Sequence, residues 1–382
     1  MPLALDGTHG DPARGAALAV RFECARCHVH ASLTPPTDDK NCAGCHLHVN
    51  SGTLEVGADV ATRARWRARV HSYLDVPALT NVGARLSRSA IAAMLREPYD
   101  ARPRLAETMP RLALTTAQAA DLAAWLAPDE ETPVPPLPSD ARTLAEGRRL
   151  FEELDCGLCH TRGGEQLPTA PLPVFMEPAA LVRGVLRAPD LAKVATRVRR
   201  DRLVAWILEP RTFDANTAMP ALPRSRAEAI AIAAWLVNSP VVEATRPALL
   251  ARLPLLARRV TFAEVQEQVF RKSCWHCHSD PDFNGGDGGP GNTGGFGFSG
   301  RGLSLATASA VRSGARDDTG ARRSVLAVGE SGTPPFVEVL LARQREEAGD
   351  TSALRGMPLG LAAVSAEDVQ LVESWIASGA GE

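Results

Sequence analysis

The chain has 382 residues, with 42 basic against 44 acidic side chains and a formal net charge of −2. A balance this even excludes a nucleic-acid surface or a polybasic membrane anchor, and no apolar run reaches the ~20 residues that span a bilayer. The length suits roughly two to four domains, and an aromatic share of 5% is low for cores built from side chains only.

In chain order, the first ten residues show neither the basic n-region nor the apolar h-region of a signal peptide. Pro12 to Phe22 reads as a helix leading into Cys24-Ala-Arg-Cys27-His28. A second such motif, Cys42-Ala-Gly-Cys45-His46, follows closely, and Ala58 to Leu74 reads as a helix carrying His71 near its end. Pro77 opens a segment that recurs. Pro77-Ala-Leu-Thr-Asn-Val-Gly-Ala-Arg-Leu-Ser-Arg, through Glu97-Pro98, aligns without gaps on Pro189-Asp-Leu-Ala-Lys-Val-Ala-Thr-Arg-Val-Arg-Arg through Glu209-Pro210. Each copy then reaches a Met-Pro pair, Met109-Pro110 or Met219-Pro220, and an apolar helix around Trp125 or Trp235. A repeat of this length implies a shared fold unit.

The acidic, proline-rich stretch Ala127 to Asp140 reads as an extended linker. After it come a helix over Ala141 to Leu154, a third motif, Cys156-Gly-Leu-Cys159-His160, and the second copy of the repeat. A weaker break runs from Asn238 to about Pro247. Thr261 to Lys272 places Val265, Val269 and Phe270 on one helical face before the fourth motif, Cys274-Trp-His-Cys277-His278. The glycine-rich run Asn284 to Gly302 has no P-loop Lys-Ser/Thr and reads as a flexible loop. Met357-Pro358 and a helix over Ser365 to Ala377, with Val369, Val372, Trp375 and Ile376 on one face, close the chain. Strand-like alternation is scarce. The expected architecture is all-α: three tandem helical modules at 1–128, 141–239 and 261–382, joined by linkers at 129–140 and 240–260, with long irregular loops and with each module's first helix packed on its last.

The four Cys-x-x-Cys-His copies use all eight cysteines. Two residues between the sulfurs set both on one side of a tight turn, where each can add across a haem vinyl group, and the next residue aims its imidazole at the iron. Cys24, Cys27, Cys42, Cys45, Cys156, Cys159, Cys274 and Cys277 are therefore expected to anchor four covalent c-type haems, with His28, His46, His160 and His278 as proximal ligands. Structural zinc or a redox dithiol is the rival, and neither needs the trailing histidine. Such haem attachment takes place outside the cytoplasm. The expected location is periplasmic or extracellular, with an export signal removed, replaced or missing from this start.

The second axial position points to the Met-Pro pairs. A thioether is a soft ligand that raises the reduction potential relative to histidine, and the proline draws the methionine towards an extended backbone. Three such pairs, each followed at nearly the same distance by a helix bearing Trp, form a pattern.

The order helix, Cys-x-x-Cys-His, Asn-Val or Lys-Val segment, Met-Pro, helix ending Trp-Leu resembles class I c-type cytochrome domains, most clearly over Asp140 to Ser239. The first module resembles the same family with a second haem motif inserted, and the last is a looser match to cytochrome c domains of large multihaem proteins. The resemblance implies His/Met ligation at His160 with Met219 and at His278 with Met357. Met109 is assigned to His28, with His46 as the alternative. The inserted haem then needs another ligand, for which His71 is the first choice, His30 and His48 next, and His9 last. His276, inside its own motif, is not expected to be one. Met94 is expected in a core and Met176 in a loop.

With every iron six-coordinate the chain would only move electrons. It is read as a tetrahaem cytochrome carrying or relaying electrons between redox partner proteins. The alternatives are a dihaem peroxidase-like enzyme with one substrate-accessible haem, and an electron-transfer subunit of a membrane complex.

Overall fold

The computed structural model describes residues 10–54, 59–99, 101–105, 108–129, 131–166, 178–241, 248–279, 289, 291–350 and 354–382. It is mostly helical, 48% helix against 4% strand, with irregular loops between helices. By internal contacts the chain forms two compact units. One comprises Met1–Leu18, Ala78–Ala106 and Leu114–Thr245; the other comprises Ala19–Pro77, Glu107–Ala113 and Arg246–Glu382. The contact units are a different partition from the sequence modules. The helices of residues 78–126 group with the second module, whereas the first two motifs and Met109 group with the third.

In the first unit, α1 (Pro12–Arg21, carried here as far as Leu18) precedes its partners by a long stretch of chain. The second unit takes up α2 (Cys42–Ser51) and α3 (Val60–Arg69). Back in the first unit come α4 (Arg88–Arg96), α5 (Thr116–Leu126), α6 (Ala141–Glu153), α7 (Pro178–Arg187), α8 (Val194–Arg197), α9 (Arg200–Leu208) and α10 (Arg226–Asn238). Their starts are set by side chains that accept a backbone N–H of the first turn: Ser87, Asp140 and Ser225, and Thr115 in a capping box with Gln118. Two helix crossings organise this unit. Gly147 of α6 lies so close to α10 that an added Cβ would come 2.0 Å from the Ala231 carbonyl oxygen and 2.8 Å from Trp235 Cβ. At the matching place Gly15 of α1 lies on α5, where a Cβ would meet the Asp121 carbonyl oxygen at 2.1 Å and Trp125 Cβ at 2.7 Å. Glycine is needed at both for close approach of two backbones.

The two copies of the repeat also touch each other. Leu86 and Val198 form an antiparallel bridge, flanked by Ser87 N–H donating to the Arg197 carbonyl (3.0 Å) and Arg199 N–H donating to the Arg85 carbonyl (2.9 Å). Because 85, 86 and 87 align with 197, 198 and 199, the contact is a local two-fold. Arg199 is 2% exposed. Its guanidinium is satisfied by both carboxylate oxygens of Asp201 and by the carbonyls of Gly83 and Asp129, as a buried charge must be.

In the second unit, α11 (Phe262–Val265) starts at a Thr261–Glu264 capping box and continues into a π-helical stretch, Gln266–Cys274, then α12 (Trp275–His278). The expected helix over Thr261 to Lys272 is thus present but widens partway. α13 (Ala308–Arg312), α14 (Pro335–Glu347) and α15 (Ala366–Ala377) complete its frame. Phe262, Val265, Val269, Phe270, Phe336, Val337, Val369, Val372 and Trp375 form one core, with Trp375 fully buried and its indole N–H donating to the Gly381 carbonyl. First helix therefore packs on last helix here as well. The glycine-rich run is not slack where it is described. Its hairpin of β1 (Gly294–Gly295) and β2 (Phe298–Ser299) holds Gly297 against the Phe22 ring.

A methyl group at Gly147 would gain roughly 1 kcal/mol of helix propensity but force the two backbones apart, an overpacking that costs about 1–3 kcal/mol. The clash should win. Gly147→Ala is expected to lower the urea midpoint of unfolding; an unchanged or raised midpoint would show that this crossing is not tight.

Candidate functional site

Each motif is built locally. Before Cys24 and before Cys156 the chain turns through a left-handed residue, Glu23 (φ 52°) and Asp155 (φ 54°), and then closes a 3-10 turn. The bonds match: His28 N–H donates to the Cys24 carbonyl at 2.9 Å, and His160 N–H to the Cys156 carbonyl at 3.0 Å. Cys42 instead begins α2, capped by the Asn41 side chain accepting from Gly44 N–H at 2.9 Å. Cys274 ends the π-helical stretch. The first and third motifs are thus the same turn, and the second is built differently, which is in keeping with its being the inserted one.

One feature is common to all four. Nδ1 of His28 donates to the Pro77 carbonyl (2.8 Å), that of His46 to Ser72 (2.9 Å), that of His160 to Pro189 (2.8 Å) and that of His278 to Leu303 (3.0 Å). A carbonyl oxygen can only accept, so the proton sits on Nδ1 and the lone pair on Nε2. This is the tautomer and the second contact of a metal-binding imidazole. Burial lowers the basicity of His46, His160 and His278 against the bond's opposite pull, which keeps them neutral. His160 and His278 are half-buried. Pro77 and Pro189 open the two copies of the repeat, a signal present in the sequence. Ser72 and Leu303 carry none.

The thiols are desolvated rather than activated, although only Cys274 is fully buried. Burial pushes Cys24 up to about 11 and Cys156 and Cys274 up to about 12, the reverse of a redox dithiol, whose nucleophile is lowered. Among the described residues no three or more His, Cys, Asp or Glu side chains converge on a point where a metal ion could be held, as a zinc ribbon formed by Cys24, Cys27, Cys42 and Cys45 would require.

In the first unit, Asp190 fixes the loop around the third motif by accepting from Thr161 Oγ1 (2.6 Å) and the N–H groups of Gly163 and Gly164. Arg104 donates to the Cys159 carbonyl at 3.0 Å. An added Cβ on Gly184 would lie 3.6 Å from Cys159 Sγ and 3.8 Å from Ala218 Cβ, which brings the residue before half-buried Met219 beside the motif.

In the second unit, Tyr73, a left-handed residue (φ 61°), is the meeting point that sequence reasoning missed. It stands edge-on to His46 at 5.1 Å between ring centres and donates its hydroxyl to the Gly360 carbonyl at 2.8 Å. Burial raises its pKa first, and the thiols of Cys27, Cys277 and Cys42 add to that. Gly360 in turn meets the Thr108 carbonyl and Pro110 Cβ, so the loops of Met109 and Met357, both half-buried, come to the same place. A hydrogen bond between the thiols of Cys27 and Cys42 raises the Cys27 thiol, and burial adds to it. Glu23 accepts from Phe296 N–H at 2.8 Å, and Arg26 stacks on the Phe296 ring. Gly291 lies on His278, where a Cβ would come 2.1 Å from the ring. Beside Leu303 an open cleft of about 650 Å³ is lined by Asn292, Gly302, Ser304, Arg316 and Arg322 among others.

The candidates for the remaining ligand fare differently. The helix expected to carry His71 stops at Arg69, because Val70 is extended (ψ 105°), and His71 is exposed beyond it. His48 is exposed on α2, and His30 bonds the Ser32 hydroxyl through Nδ1 at 2.8 Å. His9 and Met176 lie outside the described residues. Met94 is on α4 among buried Ile91 and Leu95, as expected. No protein-family model, curated protein or solved structure matched the chain.

Gly291→Ala should displace the His278 ring and lower thermal stability, whereas Gly329→Ala, with its nearest neighbour at 3.7 Å, should not; equal effects would dismiss the contact. The histidines make a second forecast. With folded-state values below the ordinary 6.5, the native chain binds fewer protons than the unfolded one at acidic pH. That stability is complete above 6.5 and is lost as pH falls, so the urea midpoint should drop between about pH 7 and about pH 5. A flat midpoint there would contradict it.

Proposed function

We propose that this chain is a tetrahaem c-type cytochrome that relays electrons, one at a time, between redox partner proteins outside the cytoplasm. The observation that carries the reading is the fourfold coincidence at the motif histidines. Every one directly follows the second cysteine of its motif, holds its Nδ1 proton on a main-chain carbonyl and so presents Nε2. The donor set fits c-type haem: two thiols for thioether bonds and one neutral, oriented imidazole.

A haem at each motif would supply an Fe(II)/Fe(III) couple; the rest is the work of the chain. Cys24 with Cys27, Cys42 with Cys45, Cys156 with Cys159 and Cys274 with Cys277 would hold the porphyrins covalently. The carbonyls of Pro77, Ser72, Pro189 and Leu303 would keep the four imidazoles from turning. Met109, Met219 and Met357 would take the opposite axial positions at His28, His160 and His278, and raise those potentials relative to histidine ligation. Arg316 and Arg322, in the cleft beside Leu303, would supply guanidinium groups for carboxylates of the fourth haem. In this reading the helix pairs α1/α5, α6/α10 and α11/α15 are cytochrome c-like frames. No helix among the described residues is long and apolar enough to cross a membrane.

The test is mass and spectrum of protein matured in a host that attaches c-type haem. Four porphyrins per chain and low-spin bands are expected, and Met219→His should keep all four while lowering one potential. A mass equal to the bare polypeptide would overturn the reading, and an unchanged potential would remove Met219 from the axial position.

A further inference from the structure

The inserted motif is the one for which no Met-Pro pair is left, and the structure sets an unexpected imidazole near its histidine. The rings of His46 and His276 have their centres 6.1 Å apart, inclined at 58°. Two imidazoles binding one metal from opposite sides stand roughly 6 Å apart, given nitrogen–metal bonds of about 2.0 Å and about 1.1 Å from nitrogen to ring centre. The spacing agrees, and free rotation about each bond allows any inclination. His46 has committed Nδ1 to the Ser72 carbonyl, so its metal-binding nitrogen is the other one. The His276 side chain is exposed, and its main chain is held in place. It lies in α12, between Cys274 and Cys277, and Gly289 packs so tightly on the main chain there that a Cβ would come 2.3 Å from the His276 carbonyl oxygen. Tyr73 belongs to the same neighbourhood, with its ring against His46 and its hydroxyl bonded to the Gly360 carbonyl.

We propose that His276 is the distal ligand of the haem iron bound by His46, so that the fourth motif lends a ligand to the second. The inference rests on the tetrahaem reading. It leaves one ligand for every iron: Met109 for His28, His276 for His46, Met219 for His160 and Met357 for His278. It also makes His71, His30 and His48 unnecessary. The spacer positions of a Cys-x-x-Cys-His motif take no part in thioether attachment, so a substitution at 276 leaves Cys274, Cys277 and His278 able to bind their own haem.

The experiment compares the haem-loaded wild type with His276→Ala, His276→Met and His71→Ala by mass, electron paramagnetic resonance and redox titration. All four proteins should carry four haems. His276→Ala should convert one haem of the four to a high-spin or hydroxide-ligated signal. His276→Met should stay low-spin while its lowest potential moves upward and the other three stay in place, and His71→Ala should match wild type. Unchanged spectra and potentials in both His276 variants would overturn the assignment, as would a high-spin haem appearing in His71→Ala instead. A wild type without porphyrin would instead defeat the tetrahaem reading itself, and mass separates the two failures.

Discussion

A proton held between an imidazole and a main-chain carbonyl is the constraint on which this protein turns. Four histidines make that bond, and each thereby fixes its tautomer, stops its ring from rotating and directs its remaining lone pair. The carbonyl costs the fold little, since a main-chain acceptor near a buried imidazole must be satisfied in any case. What it demands is a loop that returns to the motif at one position. Pro77 and Pro189 provide this for the first and third motifs, and a proline at that place has no N–H of its own to satisfy.

The frames around the motifs are conservative by comparison. Gly15 on α5 and Gly147 on α10 allow the first and last helices of two segments to cross in backbone contact, and Trp125 and Trp235 take the same place beside them. The third frame does it without glycine, by burying Phe262, Phe270 and Trp375 against one another. The same helix pairing is thus reached by two kinds of packing. The glycine-rich run joins this structural work: Phe296 is bonded to Glu23 beside the first motif, and Gly291 lies on the histidine of the fourth.

The helical nature of the chain, the cores of α4 and α15 and the helices flanking the motifs were legible because apolar residues recur at helical spacing and Ser, Thr or Asp mark the starts. The motif residues were legible because their chemistry needs a fixed local spacing. What could not be read was whatever depends on chain reversal. Val70 ends α3 early through its own extended backbone, which hydropathy does not register, and this takes His71 off the helix. Tyr73 gathers three motifs although it belongs to none, since only the folded chain brings Cys27, Cys42 and Cys277 to one ring. The π-helical widening before Cys274 is likewise silent in a pattern of apolar residues. The approach of His276 to His46 is equally silent, because a spacer position inside a motif says nothing of which distant ring the fold brings near it.

The seam between the two repeated segments has a consequence for how such a chain can diversify. Its two central hydrogen bonds run from main chain to main chain, through Ser87 and Arg197 and through Arg199 and Arg85, and the Ser87 hydroxyl and Arg199 guanidinium only add to them, on the carbonyls of Thr196 and Gly83. Duplicated segments joined in this way inherit their mutual fit at once and can then drift in composition without losing it. The side chains at the seam have already taken up separate duties: Ser87 caps a helix, while its counterpart Arg199 neutralises an interior carboxylate.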